Sequence, residues 1–203
     1  MISNEASNMV NGLVLAGGKS SRMGQDKGAI PWHGMEQRDH LAALLQKYCL
    51  ETYISCREEQ NIESAYPLLF DTIDGVGPIG AILTAFQKMP ATAWLVVACD
   101  LPLLDAPTLQ YLFDNRNKNA IATTFESPYD GLPEPLITIW EPAAYPYLLA
   151  LLGEGYKCPR KALIKSDNAN ILKAPYPDAL INTNTPEDAE KVKAILSKTQ
   201  VNQ

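Results

Sequence analysis

The sequence predicts an α/β fold, a Rossmann-like three-layer sandwich in which helices cover both faces of a mostly parallel central sheet. Three observations carry this. GLVLA (Gly12–Ala16) and WLVVAC (Trp94–Cys99) are apolar throughout and of strand length, as strands buried on both faces are. Each such run is stopped by Gly, Asp or Pro at its carboxyl end. Between the runs lie segments of helical period, so residues 12 to 125 alternate strand and helix as a doubly wound sheet does.

Taken in order, Gly12–Ala16 is the first strand, halted by two glycines. A helix follows over Asp39–Leu50, where Leu41, Leu44, Leu45 and Tyr48 recur at helix spacing and Asp39 is the expected N-cap. Thr52–Cys56 and Leu68–Phe70 are short strands. Gly77-Pro78 opens a helix over Ile79–Lys88, proline being favoured in a first helical turn. Trp94–Cys99 is the strongest strand, followed by a helix from Ala106 to Asn115 and a strand near Ala120–Phe125. The remainder reads as a strand at Pro135–Trp140, helices at Pro142–Leu152 and Pro159–Ser166, and a last strand at Ala179–Asn182. Thr185-Pro186-Glu187-Asp188 starts a closing helix to about Ser197, with Thr185 as cap and Asp188 favouring the helix dipole.

At 203 residues, one domain is expected, with a core over about 12–196 and short flexible termini. The 46 % hydrophobic and 20 % charged content excludes a disordered or fibrous chain. No apolar run reaches the ~18 residues of a membrane span. The start MISNEASNMVNG has neither a basic patch nor an apolar stretch, so no signal peptide and a cytoplasmic location are expected. A net charge of −6 argues against a nucleic-acid face but not against a nucleotide, which feels local charge. Cys49, Cys56, Cys99 and Cys158 are far apart, with only His33 and His40 beside them, so buried or partly buried free thiols are expected rather than a zinc or redox site.

The chemistry concentrates in Leu15–Lys27, LAGGKSSRMGQDK. A buried strand ending in Ala16-Gly17-Gly18 brings backbone N–H groups to the carboxyl edge of the sheet, where ligands of open α/β folds bind. Glycines allow a phosphate close to the backbone, and such a run of donors is an anion nest. Lys19, Arg22 and Lys27 follow, Arg22 suited to bidentate grip on phosphate oxygens and Lys27 to a point charge. Within this segment neither G-x-x-x-x-G-K-S/T nor G-x-G-x-x-G is present. Asp100, directly after WLVVAC, is either a Mg²⁺ ligand or a cap for the helix beyond Pro102. Asp71 ends a strand at the same edge before Gly75, Gly77 and Gly80, either lining a ligand pocket or closing a capped turn. Lys157, Arg160, Lys161 and Lys165 form a basic cluster that is either a solvated helical face or a landing site for anionic groups.

The segment LAGGKSSRMGQDK resembles the L-A-G-G-x-S-x-R-M-G-x-D-K signature of the molybdenum cofactor guanylyltransferases, and more loosely the start of other nucleotidyltransferases. The resemblance extends from Gly12 to about Leu196 and implies the nucleotide-diphospho-sugar transferase type of fold. It implies that the loop wraps the triphosphate of GTP, Leu15, Ala16, Gly17 and Gly18 touching the nucleotide by main chain while Arg22 and Lys27 are catalytic cations. ACDLP resembles the family's C-D-x-P element, giving Asp100 the role of catalytic Mg²⁺ ligand. The Asp71 segment is similar to D-x-x-x-x-x-G-P-L-x-G, so Asp71 binds nucleotide and Pro78 and Gly80 shape the pocket. INTNTPEDA (Ile181–Ala189) is similar to V-N-x-N-T-P-E-E, bringing Asn182 and Asn184 beside the metal. Leu132-Pro133-Glu134-Pro135-Leu136 matches a proline motif near the acceptor site.

Two departures stand out. The family's G-K-P-L lysine is missing, Gly34 being followed by Met35-Glu36-Gln37, and an asparagine expected after the second strand is replaced in TYISCR by Ser55 or Cys56. The implied reaction is attack by an acceptor phosphate on the α-phosphorus of GTP, releasing pyrophosphate. A phosphomonoester, with a second pKa of ~6, is largely dianionic at pH 7 and needs no general base. The implied partners are GTP, a molybdopterin-type acceptor and other proteins of molybdenum cofactor biosynthesis, without nucleic acid or membrane. The alternatives are cytidylyl or sugar-phosphate transfer to a different acceptor, and a GTP-binding protein without catalysis.

Overall fold

The computed structural model describes residues 9–18 and 26–201, with side chains to 198. Among these, seven strands form one sheet: β1 (Val10–Leu15), β2 (Thr52–Cys56), β3 (Leu68–Phe70), β4 (Ala93–Ala98), β5 (Ala122–Glu126), β6 (Pro133–Trp140) and β7 (Ala169–Lys173). Their order is β3-β2-β1-β4-β6-β5-β7. β1 pairs in parallel with β2 and β4, β2 with β3, and β5 with β7. Only β6 runs the other way, Trp94 standing opposite Trp140 on one side and Ala122 opposite Trp140 on the other. The sheet is therefore mostly parallel, as the strand–helix alternation implied.

The helices are α1 (Gln37–Leu45), α2 (Pro78–Lys88), α3 (Ala106–Asp114), α4 (Ala144–Gly153), α5 (Pro159–Lys165) and α6 (Pro186–Val201). Successive strand residues face opposite sides, and Leu13 and Val14 show the result. Val14, Ile54, Leu95, Val97 and Phe125 pack with Leu41 and Leu45 of α1 and Leu109 and Leu112 of α3. Leu13, Trp94, Val96 and Trp140 pack on the other face with Ile79, Ile82 and Phe86 of α2, Leu148 of α4 and Leu163 of α5. These are the three expected layers. Every residue of β4 is buried, which explains why WLVVAC shows no polar alternation. Each such side chain contributes about 1.5–3 kcal/mol by leaving water.

Local chemistry fixes several boundaries. Asp105 accepts from the Thr108 N–H at 2.9 Å to start α3. At α6, Thr185 Oγ1 accepts from the Asp188 N–H at 3.2 Å, the cap expected there, and Asp188 also accepts from the Thr185 N–H at 3.0 Å, closing a reciprocal cap.

Three expectations need correction. First, α1 begins at Gln37 after Glu36 and stops at Leu45, so Asp39 lies in its first turn and is not the N-cap. The Gln37 N–H bonds the Ile30 carbonyl, and Arg38 is drawn to Asp26 and Glu36, which starts the helix early. Asp39 instead accepts from the Ser64 hydroxyl. Second, the strand expected at Ala179–Asn182 is a 3-10 turn over Pro177–Leu180, with proline at its start and Ala179 and Leu180 turned into the interior. The last strand is β7, which the apolar pattern of the sequence does not predict. Third, Cys158 is exposed, while Cys56 and Cys99 are buried and Cys49 partly so.

Candidate functional site

Because β1, β2, β3 and β4 run parallel, their carboxyl ends share one edge. A cleft of about 730 Å³ opens there, lined by Leu15, Ala16, Gly17 and Gly18 after β1, Ser55 and Arg57 at the end of β2, Asp71 after β3, Pro78 at the start of α2, and Asp100 after β4. Lys27 enters from the loop beyond β1. The structure thus brings together Leu15, Ala16, Gly17, Gly18, Lys27, Asp71, Pro78 and Asp100. Arg22 and Lys19 lie outside the described residues.

Lys27 begins a 3-10 turn, Lys27–Ala29, capped by Asp26, whose carboxylate accepts from the Gly28 N–H at 2.9 Å. Arg38 of α1 holds the other Asp26 oxygen at 2.9 Å. With the turn so fixed, the Lys27 ammonium donates to Asn184 Oδ1 at 2.6 Å and stands 3.7 Å from Asp100 Oδ2. The Asn184 segment is itself tied to Asp100, since the Thr183 N–H donates to the Asp100 carbonyl at 2.8 Å. Asn182 is half-buried, two residues before. Burial pushes the Asp100 carboxyl above its ordinary pKa, with nearby Lys27 pulling the other way.

Asp71 is oriented by Ser55, whose hydroxyl donates to Oδ1 at 2.6 Å. Burial raises its carboxyl pKa, and the Ser55 bond opposes the rise. Asp71 Oδ2 lies under Gly17, where a Cβ would come within 2.9 Å of it. Ser55, near the end of β2, therefore sets the adjacent carboxylate. Gly80 is not a lining residue: a Cβ there would come 2.4 Å from the Ile73 carbonyl, so its smallness lets the 73–76 loop pack onto α2 behind the wall. Gly77, at φ +71°, makes the turn before Pro78.

The sequence reading missed two residues at this corner. Arg57 Nε donates to the Gly17 carbonyl at 3.0 Å, and Gln60 Nε2 donates to the Ala16 carbonyl at 2.9 Å. R-E-E-Q after a strand carries no signal for this, because the bonds span 40 and 44 positions of chain and depend on β1 lying beside β2. Arg38 is a further addition: its buried guanidinium holds Asp26 and Glu36 and so fixes the turn that begins at Lys27.

The basic cluster divides. Lys157, Arg160 and Lys161 line a second cavity of about 540 Å³ that adjoins the cleft through Gly77, Pro78 and Leu136. Arg160 is held by Asp130 at 2.7 Å and by Glu134 at 3.1 Å, so its guanidinium is positioned rather than freely solvated. Lys165 instead lies over the Tyr156 ring, 4.7 Å from its centre.

Asp100 Oδ1 is buried and has no hydrogen-bond partner, a costly arrangement that a cation on that oxygen would relieve. Among the described residues, no group of three or more His, Cys, Asp and Glu could hold a metal ion. A hard cation here would be bound by one carboxylate with substrate phosphates and waters, as Mg²⁺ often is. The cleft's thiol, Cys99, is buried, and burial pushes it above its ordinary pKa.

Residues 12–170 match the family model of the MobA-like NTP transferase domain. The chain belongs to that family. This MobA-like chain is 31 % identical over 190 residues to the probable molybdenum cofactor guanylyltransferase of Carboxydothermus hydrogenoformans, covering 91 % of this chain and 95 % of that one. It is 35 % identical over 181 residues, 87 % of its length, to the molybdenum cofactor biosynthesis bifunctional protein of Synechocystis sp., of which it spans only 52 %. In fold, the MobA-like chain resembles the crystal structure of molybdopterin-guanine dinucleotide biosynthesis protein A from Archaeoglobus fulgidus. The TM-score is 0.74 at 24 % identity, covering 93 % of this chain and 99 % of that one.

Proposed function

We propose that this chain is a single-domain, Mg²⁺-dependent molybdenum cofactor guanylyltransferase of the cytoplasm. It would transfer GMP from GTP to the phosphate of a molybdopterin-type acceptor and release pyrophosphate. The observation that carries this is the meeting, in one cleft, of the Gly17-Gly18 corner, the Lys27 ammonium and an Asp100 carboxylate with one unpartnered oxygen. The name of the Carboxydothermus relative supports the same acceptor and nucleotide, and that of the Synechocystis relative the same biosynthesis.

On this reading the triphosphate lies against the backbone of Leu15, Ala16, Gly17 and Gly18, with Lys27 and Arg22 balancing its charge. Asp71 and Pro78 border the nucleoside end, and Gly80 supports that wall from behind. Asp100 is the residue that would hold Mg²⁺, with Asn182 and Asn184 flanking it. When bound, the cation supplies charge neutralisation and alignment of the phosphate oxygens. The acceptor would enter through the cavity of Lys157, Arg160 and Lys161, whose cations suit its anionic groups. Its phosphate reaches the α-phosphorus already dianionic, so the residues' task is to hold two polyanions in line. No general base is required. Other proteins of molybdenum cofactor biosynthesis are the expected partners.

The test is to incubate the protein with Mg²⁺, a molybdopterin acceptor and each nucleoside triphosphate in turn, and to measure pyrophosphate. GTP alone should give acceptor-dependent release. Release with CTP or UTP but not GTP would overturn the guanylyl assignment, and GTP binding without any release would mark a binding protein.

A further inference from the structure

Glycines solve one problem at Ala16-Gly17-Gly18 and create another. They let a phosphate approach the backbone, yet they place almost no steric restraint on where the N–H groups point. Donors that stabilise charge act best when their orientation is fixed beforehand. Something outside the loop has to aim them.

We infer that Arg57 and Gln60 form a carbonyl clamp that aims the Gly17 and Gly18 N–H groups at the phosphates of the nucleotide, an inference resting on the proposed nucleotide site. A trans peptide is planar, and its C=O and N–H point to opposite sides. The Ala16 carbonyl is held by Gln60 Nε2 at 2.9 Å, so the Gly17 N–H of that peptide points away from Gln60. The Gly17 carbonyl is held by Arg57 Nε at 3.0 Å, so the Gly18 N–H points away from Arg57. Consecutive peptides are thus gripped from the β2 side.

The clamp is itself braced. Gln60 Oε1 accepts from the Arg57 backbone N–H at 2.8 Å, which fixes the amide so that its NH₂ faces Ala16. Glu59 holds Arg57 Nη1 at 2.7 Å, leaving Nε directed at Gly17. The 3-10 turn Glu58–Gln60 carries both braces and ends at Asn61, whose φ of +47° turns the chain away. Arg57 and Gln60 are positioning residues: they act on the nucleotide through the glycine peptides.

The test compares the intact protein with Gln60→Glu, which keeps the acceptor for the Arg57 N–H but cannot donate to Ala16, and with Arg57→Lys, which keeps charge but loses the planar Nε–H. Both side chains are half-exposed, so two independent folded variants are available, and calorimetry should find their Tm close to that of the unaltered protein. Displacement of a fluorescent GTP analogue by inorganic tripolyphosphate and by guanosine separates the two ends of the site. Each variant should bind tripolyphosphate about tenfold more weakly, the scale of one misdirected charge-assisted bond, with guanosine affinity unchanged. Unchanged tripolyphosphate binding, or an equal loss for guanosine, would overturn the clamp. If tripolyphosphate fails to displace the analogue from the unaltered protein, the nucleotide reading itself falls, and the clamp with it.

Discussion

The Lys27 ammonium stands 3.7 Å from the Asp100 carboxylate, and it is the carboxylate oxygen that Lys27 does not face, Oδ1, that is buried without a partner. A lysine alone leaves Asp100 half-compensated. Asp100→Asn should therefore separate activity from stability. The amide removes a buried charge, so Tm should hold or rise, while kcat for pyrophosphate release should fall about 10²- to 10³-fold, the scale for losing one charge-stabilising group. A fall in Tm together with intact turnover would remove Asp100 from the chemistry.

Gly17 and Gly18 should respond differently to alanine. At Gly17 a Cβ meets Asp71 Oδ2 at 2.9 Å, and that oxygen cannot swing away freely because Ser55 holds the carboxylate. At Gly18 no atom lies within 4 Å. Gly17→Ala should lower Tm and displace Asp71, costing about 1–3 kcal/mol as overpacking does. Gly18→Ala should leave Tm unchanged yet weaken GTP binding about tenfold, since its methyl group intrudes only on a bound phosphate. Calorimetry and nucleotide titration of the two variants check the contrast.

Acid should weaken the fold through His40. Its ring stacks on His33 at 3.8 Å, and burial, with His33 and Lys47 adding to it, lowers its pKa from 6.5 to about 4. The unfolded chain therefore binds the proton first as pH falls, and stability drops from pH 6.5 towards 4. The loss attributable to His40 is up to about 3 kcal/mol. His40→Phe keeps the stacked ring without the titration, and its denaturation midpoints should show a shallower acid limb over this range. An identical limb would exclude His40 as the cause.

Arg116 and Glu141 form a buried bidentate pair, at 2.6 and 2.8 Å. Glu141 follows the reversed strand β6, so the pair sits at the amino ends of β4 and β5, away from the cleft. Glu141→Leu should cost about 3–5 kcal/mol by stranding the guanidinium, and Arg116→Met added to it should recover much of that loss. Chemical denaturation measures both, and KM for GTP in the folded fraction should not change.

The layers were legible because β1 and β4 are buried on both faces, which forces unbroken apolar runs. β7 was not, since ANILK is half exposed at the sheet edge and takes its strand form from pairing with β5. The run at Ala179–Asn182 misled for the opposite reason: Ala179 and Leu180 are buried, but Pro177 starts a 3-10 turn rather than a ladder. In the site, Lys27, Asp71 and Asp100 were readable because each follows a strand end or the glycine corner. Arg57 and Gln60 bind main-chain carbonyls, so what they grip has no side-chain identity to read.

The single reversed strand has a consequence for how such an enzyme can diversify. β6 starts at the sheet edge where its neighbours β4 and β5 end, so the Glu134–Arg160 contact lies on the cleft side of the sheet but belongs to a later stretch of chain than the glycine corner. One bank of the trough can be rewritten while the other keeps its sequence. On the proposed reading, a lineage could retain its nucleotide and change the molecule that receives it by altering the later stretch from Pro135 to Lys161.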